Sequence, residues 1–415
     1  MSTHRVLVTG IGAVTPLGPT MTTTWDRLLE GRSGIDRLQG IPADDLRVRI
    51  GGEVADFDPG LHLSHADLRR HDPYAWYGIA AAEEALLTSG CLRDGAMGID
   101  QATTGVTTAT GYGASKLNQD GTRVLDANGP RAVSPYLAVY GSPDVLGAHI
   151  SIAHGLRGAS YALSAACATG AIALGEAMRA IRHGYLSAVL VVGAEHPLNR
   201  QDISATANTR ALTAEWNDDP SRASRPFDRR RSGFVMSSGA TAMLLESEES
   251  ARRHGRVGIA ELAGYGVTTD AHHMTAPEPT GAGAVAAMRA ALADGGESPD
   301  GIDHVNAHGT STQMNDATEL GAIREVFGPR ATRLPITATK SMTGHLLGAT
   351  GVLEAAIAAL TVNRGVIPPT INLEDNEFPD YDIVTTTRRQ EVRAVLSNSF
   401  GFGGHNASLL LRAVG

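Results

Sequence analysis

The chain has only two cysteines, Cys91 and Cys167, among its 415 residues. Two thiols exclude a disulfide framework and fit a reducing compartment. No apolar run reaches the ~18 residues that would suggest a membrane span. The start, Met1-Ser2-Thr3-His4-Arg5, runs straight into the strand-like Val6-Leu7-Val8-Thr9 and lacks the apolar core and cleavage site of a secretory signal. A soluble, cytoplasmic protein without a membrane partner is expected. Basic charge is also scarce: 35 Lys and Arg against 44 Asp and Glu leave a net charge of −9, which speaks against a nucleic-acid partner. Short-period repeats and low-complexity tracts are absent as well.

What the chain does have is glycine, 48 of them, a modest 19% of charged residues, and apolar runs split by small residues. That balance fits a compact α/β enzyme. Buried-type strands are expected at 6–9, 103–108, 188–193, 302–306 and 335–337, forming a mostly parallel sheet. Helical patterns cover 75–89, 171–183, 283–294, 316–327 and 351–363. His183-Gly184 and Arg364-Gly365 give two of them a cation and a glycine at the stop. The alternation implies a layered α/β architecture. A charged run at 246–256 suggests a break between 1–255 and 256–415, and the same run also fits a solvated surface helix.

Within Ser164-Ala165-Ala166-Cys167-Ala168-Thr169-Gly170, Cys167 stands where an apolar segment gives way to a helical one. A thiol at a helix start feels the positive end of the peptide dipole, which favours thiolate and so a covalent nucleophile. On this segment alone a small buried hydrophobe fits equally well. Three later segments add groups able to act on a thioester. The first, Val305-Asn306-Ala307-His308-Gly309-Thr310-Ser311-Thr312, follows a strand, so its histidine is rigidly placed on an accessible loop. The second, Thr339-Lys340-Ser341-Met342-Thr343-Gly344-His345, leads into a helix containing Glu354. The third, Ser397-Asn398-Ser399-Phe400-Gly401-Phe402-Gly403-Gly404-His405, is a glycine loop whose N–H groups can approach a ligand closely. Each has a plainer reading: a hydrogen-bonded structural histidine, a surface Lys340–Glu354 pair, a simple turn. Their occurrence together with Cys167 favours chemistry.

These four segments, with Val8-Thr9-Gly10-Ile11-Gly12, Ser221-Arg222-Ala223-Ser224-Arg225-Pro226-Phe227-Asp228 and Thr269-Asp270-Ala271-His272-His273-Met274, resemble the β-ketoacyl-acyl carrier protein synthases over nearly the whole chain. The likeness is to the synthase II branch, which includes type II polyketide ketosynthases. It implies an α/β, thiolase-like five-layer αβαβα fold built from two similar halves and normally dimeric. Residues 1–255 would carry the nucleophile and 256–415 both catalytic histidines. It further implies decarboxylative Claisen condensation of an acyl thioester on Cys167 with malonyl-acyl carrier protein, in fatty acid or polyketide elongation. Carried over position by position, Cys167 would hold the acyl chain, and His308 and His345 would act on the malonyl group. Lys340 and Glu354 would organise the site, and the N–H groups of Cys167 and Phe402 would form the oxyanion hole. Phe400 and Phe402 would act as a gate, and Thr310 and Thr312 would contact the pantetheine arm. Substrates would arrive on the phosphopantetheine arm of an acyl carrier protein, with no metal or organic cofactor bound by this chain. Arg69 and Arg70 are candidate docking residues for the acidic carrier, and Arg229-Arg230-Arg231 form a second candidate patch.

Three departures from the family pattern stand out. Ser232 and Ser237-Ser238 replace an acidic residue and a glycine–acid pair near the site. Tyr112 stands where a smaller residue lines the acyl pocket, which should limit or redirect the chain. The small run Ala205-Thr206-Ala207-Asn208-Thr209 falls where bulkier residues line the dimer-side pocket, so Thr206 joins Tyr112 as a pocket residue. These point to a specialised synthase. The competing reading is a non-condensing chain-length-factor subunit, which typically lacks the cysteine; a catalytic partner of such a subunit in a heterodimer stays open beside a homodimer. Synthase III would show Asn in place of His345. Metal binding by His308, His345 and His405 lacks a close-spaced ligand motif. Gly10-Ile11-Gly12 matches a dinucleotide loop only in part.

Overall fold

The computed structural model describes residues 4–415. Ten strands build the main sheet: β1 (Val6–Val14), β2 (Thr104–Ala109), β3 (Ser160–Leu163), β4 (Ala188–Glu195), β5 (Gly239–Ser247), β6 (Ala260–Thr269), β7 (His304–Asn306), β8 (Ile336–Thr337), β9 (Ala394–Gly401) and β10 (His405–Arg412). Their spatial order is β8-β7-β9-β10-β6-β1-β5-β4-β2-β3. The first five strands and the last five therefore lie in one repeated order, third-second-fourth-fifth-first. The two halves are topological copies. They join where β1 meets β6, through Leu7 opposite Glu261 and Val8 opposite Ala260.

The sheet is mixed, which corrects the expectation of a mostly parallel one. Only the outer pairs, β7 with β8 and β9, and β2 with β3 and β4, run parallel. The inner pairs are antiparallel. The reason is local for β9 and β10, which pair as a tight hairpin from Gly401 opposite His405 outward. Such a hairpin forces antiparallel pairing, whereas parallel pairing needs a long crossover. Strands β3, β5, β6, β9 and β10 were not foreseen from sequence; β5 and β10, the fifth strand of each half, bury Thr241, Glu246, Asn406 and Ser408 among their apolar residues.

Five helices make the remaining layers: α1 (Pro73–Thr88), α2 (Thr169–Arg182), α3 (Ala282–Gly295), α4 (Gln313–Phe327) and α5 (Thr350–Arg364). Each matches an expected helix to within a turn. Helices α2 and α5 touch strands of both halves, so the two half-sheets face each other across them. α5 is buried continuously from Thr350 to Val362, as a helix without a solvent face must be. α1 covers the outer face of one half-sheet, and α3 with α4 covers the other. The stack is αβαβα.

Paired glycines bring the outer helices close. In β1, a methyl on Gly10 or Gly12 would overlap the carbonyl oxygens of Ala85 and Ala81 in α1. In β6, a methyl on Gly264 or Gly266 would overlap those of Ala291 and Ala287 in α3. The partial dinucleotide-like motif is thus a packing device inside a buried strand, the same in both halves. The charged run also resolves: Glu246 completes β5 and is buried, paired with Arg256 at 2.5 Å, while Glu248–Arg253 forms a short helix.

Gly266→Ala should lower stability by about 1–3 kcal/mol, since α3 must lift off β6 to admit the methyl. Thermal unfolding measures it; an unchanged melting temperature would contradict the close-packing account.

Candidate active site

Cys167 is set by a sharp change of backbone direction. β3 ends at Leu163, Ala166 takes φ 50, and α2 begins at Thr169. Thr169 locks this elbow: its hydroxyl accepts the Ala165 N–H at 2.7 Å and donates to the Ala166 carbonyl at 2.6 Å. The C-terminal glycine loop then closes on it. A methyl at Gly401 would sit 2.9 Å from the Cys167 nitrogen and 3.1 Å from that of Ala168, so only glycine lets the loop approach. The backbone N–H groups of Phe402 and of Cys167 itself favour the thiolate, pulling the sulfur's pKa down.

The thiol does not behave as the helix position alone suggests. Burial pushes Cys167 up to about 12, against the opposing pull of the Lys340 ammonium and the two N–H groups, with Glu195 adding to the rise. Desolvation of the anion outweighs the helix dipole, and at neutral pH the resting nucleophile is a protonated thiol.

His308 follows β7. Its own N–H and that of Gly309 donate to the Glu319 carboxyl at 2.8 and 2.9 Å, and its carbonyl accepts from Lys340 Nζ at 2.5 Å. Lys340 also donates to Glu354 Oε1 at 2.6 Å, with both side chains buried. This is an internal ion pair that holds the His308 loop, not the surface pair of the plainer reading. His345 accepts the Leu347 N–H on Nδ1 at 3.3 Å, with Thr350 Oγ1 at 3.0 Å from the same nitrogen. That leaves Nε2 as the protonated nitrogen, and Nε2 is buried without a protein partner. The two imidazoles lie 5.4 Å apart between centroids, and Phe400 edges His308 at 5.9 Å. Burial holds both histidines well below 6.5, and the nearby Lys340 charge adds to the effect. Both are neutral donors at physiological pH.

Cys167, His308, His345, Thr310, Thr312, Phe400 and Phe402 line one cavity of about 350 Å³. Thr310 and Thr312 join their hydroxyls at 3.0 Å, and Thr312 caps α4. Phe402 is 37% exposed, at the solvent side of the loop.

Other expected residues lie elsewhere. Tyr112 and Thr206 meet through their hydroxyls at 3.2 Å but do not line this cavity. Arg69 and Arg70 border a separate hollow of about 220 Å³, with Arg70 stacked 4.4 Å over Tyr136. The second basic patch is not available for docking as a whole. Arg231 is buried against Glu377 and Asp316, while Arg229 and Arg230 pair with Asp375 and Glu374. The serines that replace family acids find neutral partners: Ser232 bonds Thr213 at 2.7 Å and Ser238 bonds His196 at 3.0 Å.

Three residues were missed from sequence. Glu319, which also accepts from Asn398 at 3.1 Å, could have been found as an acid on the apolar face of α4. Glu195 closes the apolar strand β4 and had no comparable signal. Arg210 lines the cavity, exposed and at φ 64; nothing in its polar neighbourhood marked it.

Because the thiol titrates near 12, alkylation of Cys167 by iodoacetamide should quicken about tenfold per pH unit from about 7 to about 9. Mass spectrometry of the labelled protein follows it, with the fully buried Cys91 unlabelled. A plateau below about pH 9 would mean that the dipole prevails after all.

Residues 3–251 match the β-ketoacyl synthase N-terminal domain, and residues 259–374 match its C-terminal domain. The 3-oxoacyl-[acyl-carrier-protein] synthase 2 of Synechocystis is 39% identical over 411 residues, covering 98% of each chain. That of Vibrio harveyi is 39% identical over the full length of both. Among solved structures, the ishigamide ketosynthase/chain length factor superposes with a TM-score of 0.90 at 33% identity, over 100% of each chain. A type II polyketide ketosynthase, solved in complex with its acyl-carrier protein and bound to the hexaketide, gives 0.90 at 29% identity over 99% of this chain and 100% of that one. With two domain matches in order and full-length relatives on both sides, this chain belongs to the β-ketoacyl synthase family.

Proposed function

We propose that this synthase holds its acyl chain on Cys167 and uses His308 and His345 to drive decarboxylation of malonyl-acyl carrier protein. The chain is an acyltransferase of the 3-oxoacyl-acyl carrier protein synthase type. The observation that carries the assignment is the cavity in which a thiol beneath a backbone N–H faces two neutral imidazoles.

The Cys167 sulfur attacks the acyl thioester on the carrier; a new C–S bond forms, and the carrier thiol leaves with the proton that Cys167 gives up. The protonated resting thiol fits this exchange, because one proton passes from one sulfur to the other. Malonyl carrier then enters. Loss of CO2 leaves the electron pair of the broken C–C bond as a thioester enolate. The Nε2–H of His345, free of any protein acceptor, and the imidazole of His308 donate to that oxygen. The enolate carbon attacks the acyl-Cys167 carbonyl, whose oxyanion sits under the N–H groups of Cys167 and Phe402. Each such donor is worth roughly 2.7–4 kcal/mol at a comparable centre. The C–S bond breaks, the β-ketoacyl chain leaves on the carrier, and the Cys167 thiolate takes a proton from solvent in place of the one that left with the first carrier thiol.

Lys340 and Glu354 fix the His308 carbonyl and so aim its ring. The paired hydroxyls of Thr310 and Thr312 suit the amides of a phosphopantetheine arm. No metal or organic cofactor is proposed for the chain itself. Arg69 and Arg70 offer cations for an acidic carrier in a cytoplasmic enzyme. Strand β3, at the open end of the sheet, exposes Tyr161, a free edge suited to a second subunit, identical or of the chain-length-factor kind. Tyr112, outside the cavity that Cys167 lines, is given the acyl-side role by its place in the family pattern. A non-condensing role would leave the thiol and both imidazoles without work.

Intact-mass analysis with acyl carrier, followed by CO2 release from malonyl carrier, tests the scheme. Cys167→Ala should take up no acyl group. His345→Ala should be acylated yet release CO2 at least about 100-fold more slowly. Acylation of wild-type protein without a ketoacyl product would refute condensation. Tyr112→Gly should shift primer preference toward longer chains by about tenfold in kcat/KM, and an unchanged profile would remove Tyr112 from the pocket wall.

A further inference from the structure

Glu195 is a buried carboxyl that the scheme above leaves unused. It ends β4 and lies between two loops, one from each half of the molecule. Its Oε1 accepts the Gly111 N–H and, at 3.2 Å, the Gly348 N–H; its Oε2 accepts the Tyr112 N–H at 3.3 Å. The loops are pressed together around it. A methyl on Gly348 would stand 2.6 Å from the Gly111 nitrogen and 2.7 Å from Glu195 Oε1, so Gly348 must be glycine, whereas a methyl on Gly111 would meet only Glu195 Oε1, at 3.0 Å. On one side the next residue is Tyr112, whose hydroxyl reaches Thr206. On the other, the residue before Gly348 is Leu347, held at φ 49, whose N–H donates to His345 Nδ1. A continuous run of hydrogen bonds and single peptide steps therefore connects Tyr112 to the His345 ring through Glu195.

We propose that Glu195 is a positioning residue that ties the acyl-side wall at Tyr112 to the turn holding His345, so that the contents of the acyl pocket set the geometry of the malonyl step. The proposal rests on the roles given above to Tyr112 and His345. Its physical basis is that a loop displaced at Tyr112 cannot move without either dragging Glu195 or breaking its bonds. Glu195 is sealed by backbone on both sides, so the strain passes to Gly348 and Leu347. The tautomer of His345 is fixed by the Leu347 N–H, which places the effect at the nitrogen that donates to the enolate.

Glu195→Gln is the direct test. With its oxygen toward Gly111 and Gly348, glutamine keeps those two bonds and loses the one to Tyr112, because its NH2 group cannot accept. Cys167 would be loaded to completion with a short or a long saturated acyl chain, and CO2 release from malonyl carrier then timed. In wild-type protein the two primers should give rates at least about threefold apart; in Glu195→Gln the difference should shrink below about 1.5-fold, with the acylation rate within about twofold of wild type. Gly111→Ala, whose methyl would stand 3.0 Å from Glu195 Oε1, disturbs the same seat more gently and should narrow the difference in the same direction if the glutamine variant does not fold. Equal CO2 release for both primers in wild type overturns the proposal. So does a primer difference that persists in the folded variants, or acylation and CO2 release falling by one common factor, which a purely structural role would give. Wild-type protein that is acylated and never releases CO2 instead refutes the condensation reading, and this proposal with it.

Discussion

Everything at this site depends on one buried cation. Lys340 and Lys116 are the only lysines in the chain, and Lys340 lies sealed between the His308 carbonyl and the Glu354 carboxyl. Such a charge is tolerated only when both its partners are in place; removing one partner of a buried pair costs about 3–5 kcal/mol. The arrangement fixes three segments at once: the loop after β7, the short helix Lys340–Thr343, and α5. Burial keeps His308 and His345 neutral and the Lys340 charge adds to it, so the donors that an enolate needs do not become cations in a dry pocket. Burial raises Glu354 to about 7 even beside Lys340, a measure of how completely water is excluded.

Carboxyls do most of the remaining positioning. Glu319 collects the N–H groups of His308 and Gly309, and Glu195 those of Gly111, Tyr112 and Gly348. Both are buried, and burial raises them to about 7 and about 8. Backbone N–H groups at tight turns have no partner in the sheet, and a buried carboxyl oxygen is one of the few side-chain atoms that can satisfy two or three together. The catalytic groups thus sit on loops that the halves of the molecule hold for one another.

The chemistry was more legible in the sequence than the scaffold around it. Cys167, His308, His345 and Lys340 each stand beside glycines or threonines at the end of an apolar strand, where residue type and position point to the same use. The five helices were readable from their periodicity. Strands β3, β5, β6, β9 and β10 were not; in β5 and β10 stretches such as Ala242-Met243-Leu244-Leu245 and Leu409-Leu410-Leu411, buried on both faces, show no alternation to identify them. The mixed sheet followed from that omission. Glu195 and Glu319 were missed for a different reason: their importance lies in which N–H groups reach them, and those come from segments distant in sequence. The thiolate expected at Cys167 failed because a helix position says nothing about the water around it.

The protonated thiol also bears on how long the enzyme lasts. Oxidation to sulfenic acid proceeds through thiolate, and a cysteine whose burial pushes it up to about 12 offers little of it near neutral pH. Peroxide therefore meets a sulfur with little thiolate, while a carrier-borne thioester brings with it a leaving sulfur able to take the proton. Burial thus slows the nucleophile toward oxidants and favours a partner that completes the proton exchange.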